Sequence, residues 1–354
     1  MNSLLPSAIA QNSVDFNVAL TAELDDSLQK EFPDAQPGAA VLVRWHGEVL
    51  LEKCYGLANL EKKSPITPTS NFDLASVSKP FTAMAILILA DRNQLRLEAD
   101  VREHIPELPI YDASRPIRVE DLLHHTSGLW DYTECWETNP SALTDLTNDV
   151  ILRSQRNHKL TFPTGTKFEY CNTNYALLPF VVSRVSKKPF ADFLRDEIFQ
   201  PLGMNRTVLM DDLKVSIPER TTGYRKSNSG WEKTLLDVPA FGDGNVFSNL
   251  HDLGRWCEVI EKRSLVRPET WKRAFSAGKL DDGTPTDYGF GWFVRTRNEK
   301  PLWFHTGVWN GTRTFLGHWP QDELSIVMLC NTEQIDPKQV SERLVDRILK
   351  PTSD

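Results

Sequence analysis

Strand-forming runs lie near both ends of this chain, and a helix-rich stretch separates them. Residues 38–58, GAAVLVRWHGEVLLEKCYGLA, read as two β-rich runs around a turn at His46-Gly47. Far along the chain, RTFLGHWPQDELSIVMLCNT repeats the pattern around the turn sequence Pro320-Gln321-Asp322-Glu323. After it, DPKQVSERLVDRILK carries Val340, Leu344, Val345 and Ile348 at helical spacing. Segments 81–95, 141–156, 174–186 and 190–199 read as helices, punctuated by prolines and glycines, and no repeat of fixed period is present. The expected class is therefore α/β: one antiparallel sheet assembled from both chain ends, flanked by helices, with a mostly helical lobe inserted. Residues 20–80 and 240–354 would form the sheet lobe and 81–239 the helical lobe, with an active site between them.

A chain of 354 residues is long for one compact core, which fits two packed lobes. Hydrophobic residues make up 40% and charged residues 25%, so the chain can bury a core and is not of the disordered class. The net charge of -8 and scattered Lys and Arg leave no footprint for nucleic acid or an anionic membrane. The longest apolar run, around Phe81 to Ala90, falls short of the roughly 18 to 20 residues of a membrane span. The first residues, MNSLLPSAIAQNS, lack a basic start, so the sequence as it stands reads as cytoplasmic; their Ala-Ile-Ala leaves open an exported protein with a trimmed signal. Five widely spaced cysteines without C-x-x-C pairs argue against a disulfide framework or structural zinc. Neither H-x-H nor H-E-x-x-H occurs among eight histidines, and no Walker loop, G-x-G-x-x-G or G-x-S-x-G is present. No metal or cofactor is expected.

The spacing Ser-x-x-Lys occurs three times, at Ser27/Lys30, Ser76/Lys79 and Ser276/Lys279. Ser27 lies in a charged amphipathic stretch and Ser276 in a polar loop. Only Ser76 stands directly before a strongly apolar helix. Pro80 lacks an N–H and is tolerated in a helix's first turn, which sets the helix start near Ser76 or Val77. Ser76 and Lys79 then share one face. Phe81, Met84 and Ala85 to Leu89 are apolar nearly all round, so the helix is buried and Lys79 largely desolvated. Desolvation and the helix's positive end both disfavour an ammonium, and a partly neutral lysine can take a hydroxyl proton. The plainer alternative is that Ser76 is only a cap and Lys79 reaches solvent.

Two further segments supply partners. In PTGTKFEYCNTNYALL, Tyr170 is the one tyrosine of seven followed at the second position by Asn, Asn172. A phenol beside an ammonium has its pKa lowered, so Tyr170 would share proton transfer with Lys79, while Asn172 would orient Lys79 and hold a substrate amide. Ordinary cap chemistry before a helix is the competing reading. In LWFHTGVWNG, a short strand leads into His305-Thr306-Gly307, where the missing side chain at Gly307 admits a ligand or another backbone. The strand edge would pair with an extended substrate, and its N–H groups would serve an oxyanion.

In this order the three segments resemble the motifs of the serine β-lactamase and penicillin-binding protein superfamily, in its class C β-lactamase, D-alanyl-D-alanine carboxypeptidase and family VIII esterase branch. FDLASVSKPFTAMAIL, VEDLLHHTSGL, FADFLRDEIFQPLGMNRT, GDGNVFSNLHDLGRW and YGFGWFV extend the resemblance over roughly residues 25 to 335. It implies a β-lactamase-like fold, with Ser76 as acylated nucleophile, Lys79 as its proton partner and Tyr170 as general base or acid. It further implies Asn172 as orienter, His305 and Thr306 at the substrate carboxylate, Gly307 beside them, and an oxyanion hole from the N–H groups of Ser76 and Val308. His125 of the HTSG stretch reads as structural.

The implied reaction is attack of Ser76 on a carbonyl, then release of an acyl-enzyme. The expected substrates are small esters, amides or short peptides of D-amino-acid type. Alternatives are a class C-like β-lactamase with modest lactam hydrolysis, or a catalytically weak penicillin-binding or scaffold protein. Histidine replaces the lysine common in β-lactamases at residue 305; it is mostly neutral at pH 7 and would titrate near pH 6 to 7, which counts against efficient lactam hydrolysis. Arg295, Arg297 or Arg313 would be the residues to restore a positive charge. Trp130, Tyr132, Trp136 and Trp309 are candidates to roof the pocket, or else lobe core, and Cys171 reads as a buried thiol beside the site. The sequence leaves the oligomeric state open.

Overall fold

The computed structural model describes residues 8–137, 144–234 and 236–350. Its largest sheet has six strands: β1 (Ala39–Trp45), β2 (Glu48–Tyr55), β3 (Phe293–Arg297), β4 (Lys300–Trp309), β5 (Thr312–Trp319) and β6 (Leu324–Cys330). Their order is β3-β4-β5-β6-β1-β2, with every neighbouring pair antiparallel. The two chain ends meet where β1 pairs β6, with Val41 opposite Met328 and Val43 opposite Ile326. Both hairpins and their turns fall where the β-rich runs and turn sequences placed them.

The strand sequences explain why this sheet is covered on both sides. Successive side chains point to opposite faces, so a strand buried on both reads as a continuous apolar run, as AAVLV and LSIVMLC do. Val41, Val43, Ile326 and Met328 pack with Leu20, Leu24 and Leu28 of helix α1 (Ala8–Glu31) and with Val340, Leu344 and Ile348 of α5 (Pro337–Ile348). Ala40, Leu42, Val327 and Leu329 face the larger core around Phe81 and Trp256. That core also takes in α2 (Lys79–Asp91), α3 (Asn172–Ser186) and α4 (Leu250–Lys262). Every residue of α2 from Lys79 to Leu89 is buried. Among the described residues, no helix is long and apolar enough to cross a membrane.

The middle of the chain differs in detail from its sequence pattern. The helix expected over 141–156 spans Asn148–Ser154 and tightens into a 3₁₀ turn at Gln155–Asn157; residues 141–143 lie outside the described residues. The segment 190–199 is α-helical to Leu194 and then widens into a π turn. A β-hairpin, Gly223–Ser227 with Gly230–Thr234, was not anticipated there.

The start of α2 is also displaced. Residues Ala75–Ser78 form a 3₁₀ turn, and the α-helix begins only at Lys79, with Pro80 in its first turn. The cause is local anchoring. Ala75 sits at φ +47°, its N–H bound 2.8 Å from Asp73 Oδ1, and the Ser78 hydroxyl accepts the Val246 N–H at 3.0 Å. Leu74 donates its N–H to Val246 O at 2.9 Å, and its carbonyl accepts the Thr314 hydroxyl at 2.8 Å. A non-glycine residue at positive φ is costly and persists only when its surroundings over-determine it.

Strand β4 presses on this turn at Gly307. A Cβ there would collide with the Leu74 carbonyl oxygen and the Thr314 hydroxyl and crowd Ala75. The close approach anticipated at Gly307 is thus made by the backbone of the Ser76 turn. Gly307→Ala is expected to lower the unfolding free energy by about 1–3 kcal/mol, the usual cost of overpacking a filled site. Urea denaturation checks this; wild-type stability in the variant would show that the turn can retreat without loss.

Candidate active site

A 3₁₀ turn is a favourable mount for Ser76 and Lys79, because side chains three apart eclipse on such a turn. Lys79 Nζ lies 3.0 Å from Ser76 Oγ, 2.9 Å from Asn172 Oδ1 and 2.8 Å from the Asp243 carbonyl oxygen. One buried ammonium therefore joins three segments far apart in sequence. Burial pushes its pKa down from 10.5 to about 8, against the opposing pull of Asp243 and Asp131.

Tyr170 leans on the same group, with Lys79 Nζ 5.0 Å from its ring centre, and Ser76 is a neighbour that pulls its phenol pKa down. The expected lowering of its pKa by the neighbouring ammonium does not occur. Desolvation outweighs the pull of Ser76 and holds the phenol well above its ordinary 10, so it is protonated. Asn172 is fixed from behind: Asp131 Oδ2 accepts its backbone N–H at 2.8 Å and its side-chain Nδ2 at 3.3 Å. An amide whose nitrogen is spoken for in this way offers its oxygen to Lys79.

These groups open on a cavity of about 430 Å³. Ser76, Tyr170, Asn172 and Val308 lie on its wall, with Tyr132, Asp243, Asn245 and Trp309 completing much of the rest. Val308 is 61% exposed and belongs to the part of β4 beyond Phe304, where the pairing with β3 has ended. That leaves 305–309 as a strand edge beside the Ser76 turn.

His305 stands elsewhere than expected. It is 1% exposed, its Nδ1 2.7 Å from the Thr306 carbonyl and its Nε2 2.9 Å from the Tyr288 hydroxyl. A nitrogen facing a carbonyl carries the proton, and in the neutral ring this leaves Nε2 to accept from the Tyr288 hydroxyl. Burial, aided by Lys79, pushes its pKa down to about 3, which removes the titration expected near pH 6 to 7. His305, Thr306 and Gly307 are not on the cavity wall. None of the arginines proposed to supply a charge is there either. Arg295 pairs with Asp287 at 2.7 Å, Arg297 with Asp346 at 2.9 Å, and Arg313 donates to the Trp309 and Thr312 carbonyls at 2.8 and 2.7 Å.

The aromatic candidates divide. Tyr132 and Trp309 face the cavity, Trp130 stacks on His158 at 3.7 Å, and the side chain of Trp136 lies outside the described residues. Cys171 is buried with its thiol pushed well above 9 by desolvation. His125 lies under Tyr170 at 4.4 Å and accepts the Cys171 N–H at 3.1 Å, so it braces the tyrosine segment. Sequence reasoning missed Asp131, Asp243 and Tyr288. Asp243 and Tyr288 lay in segments quoted above and Asp131 lies between Trp130 and Tyr132, but their relation to Lys79 and His305 is created only by folding. Among the described residues, no cluster of His, Cys, Asp and Glu could hold a metal ion.

The model of the family described as Beta-lactamase matches residues 26–349. Penicillin-binding protein 4* of Bacillus subtilis (strain 168) is 30% identical over 317 residues, covering 84% of this chain and 69% of its own length. A D-aminopeptidase of Gluconobacter oxydans (strain 621H) is 30% identical over 322 residues, covering 90% of this chain and 60% of its own, so the chain spans well under the full length of these relatives. Among solved structures, a D-amino acid amidase from Ochrobactrum anthropi SV3 superposes with a TM-score of 0.77 at 24% identity, covering 95% of this chain and 97% of that one. An octameric penicillin-binding protein homologue from Pyrococcus abyssi gives 0.78 at 22% identity, covering 96% and 77%. A family match over nearly the whole chain joins a sheet built from both chain ends: the chain belongs to the beta-lactamase family.

Proposed function

We propose that this protein is a serine hydrolase that forms an acyl-enzyme on Ser76 and cleaves an ester or a D-amino-acid-type amide. The observation that carries the reading is the 3.0 Å contact between Ser76 Oγ and a buried Lys79 whose pKa burial brings to about 8. Such a lysine is neutral in an appreciable fraction of molecules near neutral pH and accepts the Ser76 proton as Oγ attacks the carbonyl carbon. Negative charge gathering on the carbonyl oxygen would be met by the N–H groups of Ser76 and Val308, two residues that line the cavity. Tyr170, kept protonated, would relay the proton from Lys79 to the leaving oxygen or nitrogen as the tetrahedral intermediate collapses. Water then attacks the acyl carbonyl, giving up its proton along the same path. Asn172 holds Lys79 and presents its amide beside the acyl group.

The D-aminopeptidase and amidase relatives support an amide or ester of this class. Efficient lactam hydrolysis is disfavoured by the cavity wall, on which no Lys, Arg or His is found among the described residues to meet the lactam carboxylate. The intact polar network around Lys79 weighs against a purely scaffolding role.

Intact-protein mass after mixing with p-nitrophenyl butyrate, and separately with a fluorescent penicillin, should show an acyl adduct or ester turnover that Ser76→Ala abolishes. Turnover surviving Ser76→Ala excludes Ser76 as nucleophile. Lys79→Ala and Tyr170→Phe should each lower kcat/KM about 10²-fold or more in steady-state assays, the range of general acid–base effects.

The neutral form of Lys79 is the active one, so the rate should climb as pH rises and level off above about 8. His305, at about 3, contributes no inflection in that range. A kcat/KM profile flat from pH 6 to 9 contradicts the assignment of Lys79 as base.

A further inference from the structure

Asp131 is not on the cavity wall, yet its carboxylate takes three donors from two residues that are. Its Oδ2 accepts the Asn172 N–H at 2.8 Å and Asn172 Nδ2 at 3.3 Å, and its Oδ1 accepts the Thr133 N–H at 2.9 Å. The chain on either side is pinned as well: the Thr173 hydroxyl accepts the Tyr132 N–H at 3.0 Å and donates to the Trp130 carbonyl at 2.9 Å. The carboxylate is thus held in place against the start of α3. From there a chain of hydrogen bonds runs from carboxylate to amide to ammonium, because Asn172 Oδ1 accepts from Lys79 Nζ at 2.9 Å. Bonds in such a chain polarise one another, and a charge at either end strengthens them.

Around Lys79, Asp243 comes from the loop before α4, and the rings of Tyr170 and Tyr175 lie 5.0 and 5.7 Å from its Nζ. Cys171, His125 and His305 are buried and uncharged near neutral pH. Burial drives the ammonium to shed its proton, and the carboxylates of Asp243 and Asp131 are the leading pulls against it.

We infer that Asp131 is a positioning residue that acts on Lys79 through the Asn172 amide, favouring the ammonium and so setting the pH at which Ser76 gains a base. This rests on the serine hydrolase reading above and adds to it a residue outside the cavity. An amide can turn over, and a carboxylate, which only accepts, keeps Nδ2 on its own side. Removing the charge of Asp131 takes away one of the two carboxylates that favour the ammonium. Lys79 then gives up its proton at lower pH, while the Asn172 amide loses its fixed orientation.

The test compares the pH profile of kcat/KM for p-nitrophenyl butyrate between wild type and Asp131→Asn. The inflection should fall by about half a pH unit or more in the variant, the direction in which losing an opposite charge moves a lysine. The plateau should drop about tenfold, the cost of a lost hydrogen bond to a charged group. An inflection that stays in place or rises overturns the inference, because a loss of packing alone would lower the plateau without moving it. In an Asn172→Ala background, Asp131→Asn should lower the plateau by no more than about twofold, since the two residues act as one unit. A second tenfold loss there shows that Asp131 does not act through the amide.

A second measurement needs neither a variant nor turnover. In carbon-13-labelled wild type, the Asp131 Cγ signal should step as Lys79 loses its proton near pH 8, because coupled groups report each other's titration. A signal flat from pH 7 to 9 overturns the inference and leaves the hydrolase reading intact. A step there without any acylation of Ser76 supports the link to Lys79 and removes the hydrolase reading.

Discussion

A lysine ammonium withdrawn from water and shared among three oxygens organises this molecule's candidate site. Lys79 Nζ reaches Ser76 Oγ, Asn172 Oδ1 and the carbonyl of Asp243, and so ties the turn before α2, the start of α3 and the loop before α4 to one point. Three hydrogen bonds offset part of the cost of burying a charge, but not all of it. The shift from 10.5 to about 8 is worth about 3 kcal/mol against the charged form. What disfavours the ammonium is what makes the amine a base.

The surrounding fold can be understood as support for that contact. The turn carrying the strained Ala75 is held by Asp73 at Ala75, by Val246 at Leu74 and Ser78, and by Thr314 at Leu74, three separate parts of the chain. Thr314 comes from β5 and Gly307 from β4, so the sheet formed by the chain ends backs the turn on which Ser76 rides. Asp131 fixes Asn172, and His125 braces Tyr170 from beneath. Each of these groups has a second group behind it that restricts where it can sit.

Much of this was legible in the sequence where a periodicity or a steric rule applied. Apolar β-rich runs around turn sequences gave the two hairpins, Pro80 bounded the helix start to within a turn, and an all-round apolar helix implied the burial of Lys79. Three things were not legible. The 3₁₀ turn depends on hydrogen bonds to Val246 and Thr314, which sequence distance conceals. His305 was expected at the substrate carboxylate with a titration near pH 6 to 7, yet packing against Tyr288 and Phe293 makes it neutral and inaccessible. Tyr170 was expected to ionise more easily beside an ammonium, but desolvation outweighs the neighbouring charge once both groups are buried. In each case the missing information was which side of a packed interface a polar group occupies.

The account stands on Lys79 losing its proton near pH 8, well below an ordinary lysine, and that is directly measurable. NMR titration of lysine side chains labelled at Cε and Nζ, with the Lys79 signal assigned by its loss in Lys79→Arg, should give one lysine titrating near pH 8 while the others titrate near their ordinary values. A Lys79 signal that stays protonated to pH 10 or above would contradict the account, because Ser76 would then have a permanent cation beside it and no base.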